Sequence, residues 1–211
     1  MSAFPFRLCR LTALAVLVAS LSACGDYEAR VADGIRIDAT PLQTPADGVA
    51  PVVVNGYTLT PLARFDISAR VLSRREYKQD REAELSQLDL ALGWGAMSDS
   101  AVLRKLEITQ SDRFFFWRAS ALPIPRDEVV RSASNMHLIP ADPTVRRTLL
   151  SAGKGDGVHL TGYLVEARGQ KNYVWRSSLS REDSGRGACE LVYVTAAEVL
   201  PLPELARRLP H

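Results

Sequence analysis

The sequence contains little cysteine and little histidine, and this scarcity excludes several kinds of site. Only three residues of each type occur among 211. They are Cys9, Cys24 and Cys189, and His137, His159 and His211. The cysteines are too few for the disulfide framework of a small secreted protein. The histidines lack the spacing of metal ligands, so we expect no metal site and no cofactor.

Two further features are also missing: a long apolar run and an excess of charge of one sign. The 26 basic and 24 acidic residues are interleaved and leave a net charge of +2. Such a balance argues against broad nucleic-acid binding. The glycine-rich stretch Gly153–Gly157 lacks the spacing of a phosphate-binding P-loop. The uninterrupted apolar run at residues 11–19 is shorter than the roughly 20 residues of a membrane-spanning helix.

That short run has the layout of a secretory signal peptide. Arg7 and Arg10 precede it, and small residues lead from it into Cys24. The tetrapeptide at residues 21–24, Leu-Ser-Ala-Cys, matches the lipobox of bacterial lipoproteins, in which the cysteine is lipidated and becomes the mature N-terminus. We therefore expect a lipid-anchored protein at the periplasmic face of a bacterial membrane. Gly25 favours the outer over the inner membrane of a Gram-negative cell envelope.

The pattern beyond Cys24 predicts three regions: a signal peptide at residues 1–23, a tether at 24–50 and a single domain at 51–211. Asn55 and Gly56 predict a hairpin, and strict alternation predicts a half-buried strand over residues 65–71. A capping-box pattern at Ser86 predicts a helix through residue 92, and Ser98 predicts a second helix. Residues 106–118 read as one strand.

The remaining segments alternate between helix and strand signals. Helices are expected near residues 126–135, after Asp142 and Pro143, and over 204–209. Strands are expected at 158–166, 173–178 and 189–195. Strands at both ends with short helices between them indicate an α+β domain with a mainly antiparallel sheet. Gly162 would allow that sheet to bend and to curl into a small barrel.

Four runs of the domain resemble an uncharacterised family of predicted exported bacterial proteins and lipoproteins. They are residues 89–95, 135–140, 162–165 and 187–190, and the resemblance extends from Thr60 to Thr195. It implies a shared fold and no known activity, so no catalytic role is transferred from it.

Cys189 and His137 form the one chemically suggestive pair. A thiolate nucleophile needs a neighbour that lowers its pKa or accepts its proton, and histidine commonly serves. Asn135, Asp183 or Glu190 are candidates for a third, orienting group. The structural alternative is favoured: Cys189 begins a core strand, and His137 bonds to backbone where a helix ends.

The aromatic residues also have two interpretations. Phe114 to Trp117 form one strand segment with rings on both faces, which favours either core packing or a binding surface. Trp94 lies between glycines, in the core or at a pocket mouth. Core packing is the default in both cases.

The sequence leaves three functions open. The favoured one is a lipid-anchored envelope protein whose domain binds a ligand or an envelope protein partner without catalysis. The second is a Cys–His hydrolase or transferase that acts on envelope material. The third is a structural accessory of a membrane complex, for which no ligand-sized pocket is expected.

Overall fold

The computed structural model describes residues 31–182, 185 and 188–209. The predicted signal peptide, the lipidation site Cys24 and Asp183 therefore lie outside the described residues. The strands in the described part are β1 (Leu42–Pro45), β2 (Val52–Val54), β3 (Tyr57–Glu76), β4 (Leu88–Gly93), β5 (Glu107–Ser111), β6 (Phe114–Arg118), β7 (Ala133–Pro140), β8 (Gly157–Gly169), β9 (Tyr173–Arg176) and β10 (Glu190–Leu200). The helices are α1 (Ser100–Leu103), α2 (Arg126–Arg131), α3 (Pro143–Ser151) and α4 (Leu202–Arg208).

The main sheet is partly ring-like. Its order is β1-β3-β4-β7-β10-β8-β9, and β3 also pairs with β8. The five strands β3, β4, β7, β10 and β8, called the ring below, therefore return to their starting strand. All pairs in this sheet are antiparallel except β7 with β10. The mainly antiparallel α+β fold expected from the sequence is confirmed.

The ring interior is filled by every second residue of its strands. Leu88, Leu90 and Leu92 of β4 pack there with Met136 and Leu138 of β7. The alternate residues of both strands face outward, because successive side chains of a strand point to opposite faces. Those outward residues are buried too, because the β5–β6 hairpin and helices α1 and α2 lie against part of this outer face.

Strands β8 and β10 approach each other closely at one glycine, Gly162. A Cβ atom on Gly162 would lie 2.0 Å from the carbonyl oxygen of Tyr193. The register of β10 against β8 shifts just beyond this point, between Val194 and Ala196. Only glycine permits this approach of one backbone to another.

Several local predictions are confirmed. Asn55 and Gly56 both have positive φ, 49° and 81°, and join β2 to β3. Asp142 caps α3: its Oδ1 accepts hydrogen bonds from the amides of Thr144 and Val145 at 2.6 and 2.9 Å. Helix α4 covers the predicted C-terminal turn.

The predicted helix from Ser86 to residue 92 is wrong, because this segment is strand β4. Its leucines recur every second residue, and that period places all of them in the ring interior. The predicted cap Ser98 is also wrong. Asp99 caps α1 through the amide of Ala101, whereas the hydroxyl of Ser98 accepts from the amides of Arg36 and Ile37.

The single strand predicted over residues 106–118 is a hairpin. Asp112 and Arg113 form its turn with φ of 50° and 69°, a left-handed conformation unusual outside glycine. The helix predicted to reach Asn135 ends at Arg131, so Asn135 and His137 lie in strand β7 rather than at a helix end.

The chain before residue 51 contributes to the fold. Strand β1 pairs with β3, and Ile37 is fully buried. Trp94 is also buried, in the core rather than at a pocket mouth. No helix in the described part of the chain is long and apolar enough to span a membrane.

Candidate functional site

A polar cluster lies on the outer face of β4 and β7 and is buried except for Asp80, whose side chain is 34% exposed in the segment before β4. It consists of Asp80, Asp89, Arg113, Asn135 and His137 and is called the polar cluster below. The antiparallel register places Asp89 directly opposite His137 and Ala91 opposite Asn135. Asp89 has no solvent exposure, so its charge needs a partner inside the protein.

Arg113 supplies that partner from the tip of the hairpin. Its Nη1 donates to Oδ1 of Asp89 at 2.9 Å and to the carbonyl of Ser86 at 3.0 Å. Its Nε and Nη2 make a two-pronged contact with Asp80 at 2.9 and 2.6 Å. One guanidinium therefore joins two carboxylates from different segments, a geometry that lysine cannot reproduce.

The ionisation of these groups follows from the contacts. The hydrogen bond from Arg113 holds the pKa of Asp80 below its usual value. Burial lowers the pKa of Arg113, but the hydrogen bonds and charges of Asp80 and Asp89 outweigh burial and raise it. Burial raises the pKa of Tyr77, whose ring lies 3.7 Å from the guanidinium. All three groups thus keep their ordinary charge states at neutral pH.

Asn135 attaches the hairpin to the ring. Its Nδ2 donates to the carbonyl of Arg113 at 3.0 Å, and its Oδ1 accepts from Nε2 of Gln110 at 2.6 Å. The side chain of Asn135 is nearly fully buried. The hairpin is therefore fastened to β7 through both its turn and strand β5.

His137 lies beside this attachment. Its Nδ1 is 2.9 Å from Oδ2 of Asp89, although the two groups are not aligned as a hydrogen bond. The imidazole packs against Trp175 of β9, with 4.8 Å between ring centroids. His137 is 3% exposed.

Cys189 precedes β10 on the same face as His137. In the parallel register Leu191 lies opposite His137, and strand alternation puts Cys189 and Leu191 on one face. The thiol sulfur lies 3.7 Å from the carbonyl oxygen of Arg113. Cys189 is only half-buried. The structure thus places Cys189 and His137 on one face of neighbouring strands. Cys189 lies two residues before Leu191, the residue that pairs with His137.

The described candidates for a third group, which would orient His137, do not lie together. Asn135 belongs to the polar cluster, whereas Glu190 points to the opposite face of β10. There Glu190 accepts from the hydroxyl of Ser134 and pairs with Arg181. His159 pairs with Asp66 at 3.1 Å on a different part of the sheet. In the described residues no three His, Cys, Asp or Glu side chains are grouped to hold a metal ion.

An open groove of about 390 Å³ adjoins the polar cluster. It is called the aromatic groove below. Phe114 to Trp117 of β6 form one wall. The other wall carries Arg126, Val130, Ala133, Ser134, Asn135, Gly185, Ala188 and Cys189. Phe116 is 51% exposed, so this aromatic segment is a surface as well as a packing element.

A second cavity of about 310 Å³ lies at another edge, between α3 and the segment before β4. Its lining is mostly leucine, valine and proline, and none of the polar cluster reaches it. The aromatic groove is therefore the cavity that joins aromatic surface, a cation and a thiol.

The sequence did not predict Asp89 and Arg113 as site residues. Asp89 lies in the segment predicted as a helix from Ser86 to residue 92, and Arg113 lies in the segment predicted as one strand over residues 106–118. The sequence signal that could have revealed the site is the carboxylate of Asp89 within the alternating leucines of residues 88–92. Comparison with protein-family models, curated proteins and solved structures found no match for this chain.

Proposed function

We propose that this is a lipid-anchored protein of the bacterial cell envelope whose domain binds a ligand in the aromatic groove without chemical change. The carrying observation is the groove itself. Its volume of about 390 Å³ falls within the range of about 300–1,000 Å³ typical of ligand sites. Its lining combines aromatic rings with few polar groups, as ligand sites usually do.

The groove is formed before any ligand arrives. Arg113 binds Asp80 and Asp89, and Asn135 binds the Arg113 carbonyl. These contacts hold the β5–β6 hairpin, and with it the aromatic wall, against the ring. A rigid site avoids the entropy cost of ordering loops upon binding. The polar cluster therefore acts as the support of the binding surface.

The position of the groove is a second support. When the five ring strands are numbered along the chain, their order around the ring is first, second, third, fifth, fourth (β3, β4, β7, β10, β8). The third and fifth strands are parallel, and helix α3 lies between the third and the fourth. This is the strand order of the OB-fold, whose members bind ligands on the face of their second and third strands. The polar cluster lies on that face. Fold alone does not assign a ligand.

The direct test is site-specific photo-crosslinking in intact cells. A benzophenone amino acid replaces Phe116 in the groove, and the control replaces Val53, which is 72% exposed on β2. We expect a discrete adduct from position 116 and none from position 53. No adduct at 116, or equal adducts at both positions, would refute the proposal. A structural accessory without a ligand site predicts one of these two outcomes.

A Cys–His hydrolase or transferase is the second candidate. It is favoured by one observation: Cys189 lines the groove, and His137 on the same face contacts the Asp89 carboxylate. In enzymes a histidine paired with a carboxylate activates a thiol or hydroxyl that lies within its hydrogen-bond reach.

The rate of Cys189 alkylation against pH separates the two candidates. A free thiol titrates at about 8.5. For a binding domain we expect the pH profile of Cys189 alkylation to be the same in the wild type and in His137→Ala. A thiolate that titrates well below that value, with the shift lost in His137→Ala, would favour the enzyme. Circular dichroism of the variant confirms that it is folded.

A further inference from the structure

We infer that the aromatic groove receives an extended segment of a partner protein, which adds as a third strand to the β5–β6 hairpin. This inference rests on the proposed function and specifies its ligand. The observation behind it is the free edge of β6. Within the described residues, β6 pairs with β5 and with no other strand.

The lining of the groove shows that it runs along this edge. Side chains of successive strand residues point to opposite faces. The groove nevertheless contacts four consecutive residues, Phe114, Phe115, Phe116 and Trp117. A cavity on one face would contact alternate residues only. A cavity that contacts residues of both faces follows the edge of β6, where the amides and carbonyls that do not pair with β5 are available to an added strand.

The groove is bounded on its far side. The far wall consists of α2, the start of β7 and the residue before β10, through Val130, Ser134 and Cys189. An added strand would lie between β6 and this wall, about 4.7–4.9 Å from β6.

The geometry favours a partner peptide over a second copy of this chain. The β6 edge faces α2 across the groove rather than open solvent. Two identical hairpins would each bring their own helix into the space that the other needs. A single extended segment does not carry such an obstacle.

The side chains indicate the chemistry of the segment. Phe114 and Phe116 share one face of β6, with 6.5 Å between ring centroids. They offer apolar contacts to every second residue of a partner strand. Arg126 is the charged side chain that lines the groove among the described residues. The partner segment should therefore alternate apolar residues with others that include an acidic residue.

Synthetic pentapeptides test strand addition directly. The probe is acetyl-Val-Glu-Val-Glu-Val-amide, and its binding is measured by Trp117 fluorescence and by hydrogen exchange of the β6 amides. We expect binding to slow exchange at β6. Alternate amides of an added strand face its neighbour, and the others face away. N-methylation of the amides that face β6 should therefore weaken binding at least about tenfold, and methylation of the others should not. Equal effects of both sets would overturn the inference, because side-chain contacts alone would then hold the peptide.

Charge recognition has a matched control on the same helix. Arg126→Gln should weaken binding of the glutamate probe about threefold to fivefold and leave a Val-Thr-Val-Thr-Val probe unchanged. Arg131→Gln is the control, because Arg131 pairs with Asp127 and does not line the groove. Equal losses in both variants would contradict the role of Arg126.

The inference and the proposed function fail in different ways. If position 116 forms an adduct in cells but neither probe protects β6, the groove binds a ligand and the strand inference is wrong. If position 116 forms no adduct and neither probe binds, the proposed function itself is wrong.

Discussion

Among single residues, Asp89 lies where the surrounding protein excludes water entirely. Its carboxylate is balanced by Arg113, which reaches it from the tip of a hairpin 24 positions further along the chain. The backbone of Arg113 is held in a left-handed conformation. Such a conformation has an energetic cost, so the contacts of Arg113 must outweigh it.

Loss of Arg113 should destabilise the fold strongly. Arg113→Ala leaves the buried Asp89 charge without its partner, and removal of one member of a buried ion pair costs about 3–5 kcal/mol. Urea unfolding followed by circular dichroism measures the loss. Arg118→Ala is the matched control, because Arg118 is 78% exposed and pairs with Glu107 at the surface. The control should lose much less, because solvent screens this exposed ion pair. Similar losses in both variants would contradict the supporting role of the cluster.

The Arg113–Asp80 contact also predicts a pH dependence. The hydrogen bond from Arg113 lowers the pKa of folded Asp80 below the ordinary value of 3.8. The stabilisation from this pair is therefore present above pH 3.8 and is lost as pH falls through the folded pKa. We expect Asp80→Asn to flatten the dependence of unfolding free energy on pH as the pH falls below 3.8.

The Asp127–Arg131 pair provides the control for that experiment. The hydrogen bond from Arg131 lowers the pKa of Asp127 as well, but this pair is exposed and screened by solvent. Asp127→Asn should change the slope less than Asp80→Asn. A larger change in the control would show that burial of the cluster does not set the pH response.

At the scale of secondary-structure elements, strand β4 decides where the site forms. The sequence around Ser86 resembles a helix start, and the helix prediction followed that local signal. In the structure, β7 and β3 flank β4, and the leucine period of two matches the pleat of the sheet. The same pleat turns Asp89 away from the ring interior, toward His137 and the hairpin. The tertiary pairing thus outweighed a local capping pattern.

The close approach of β8 to β10 at Gly162 gives a prediction at this scale. Gly162→Ala places a methyl group against the backbone oxygen of Tyr193, which cannot move aside without breaking the β8–β10 pairing. We expect a loss of at least about 2 kcal/mol in unfolding free energy. Gly153→Ala is the control, since the nearest atom there is the Asp156 carboxylate at 3.3 Å. A tolerated Gly162→Ala would show that the ring can open at this point.

At the scale of the whole molecule, the proposed lipid anchor and the domain are distinct parts. The anchor is predicted from residues 21–24, outside the described region. The part of the predicted tether from residue 31 onward packs on the domain through Ile37 and β1. With the proposed lipid on Cys24, we expect the domain to lie close to the membrane surface.

Fractionation of cells tests the anchor. The wild-type protein should partition with membranes, and Cys24→Ala should not, because the variant would lack the proposed lipid. Cys189→Ala is the control and should remain with membranes. A Cys24→Ala protein that stays in the membrane fraction would contradict lipidation at this residue.

The sequence by itself determined the fold class, the hairpin at Asn55 and Gly56 and helix α3, and it predicts the lipid anchor. Each follows from short-range chemistry: alternation, turn residues, a capping aspartate and a tetrapeptide. It also singled out Cys189 and His137 as a pair. Only the tertiary structure decided that Asp89, Arg113 and Asn135 form one cluster beside a groove. Those contacts join β4, the hairpin and β7 across 22 to 46 positions, and local patterns carry no record of which distant strands will pair.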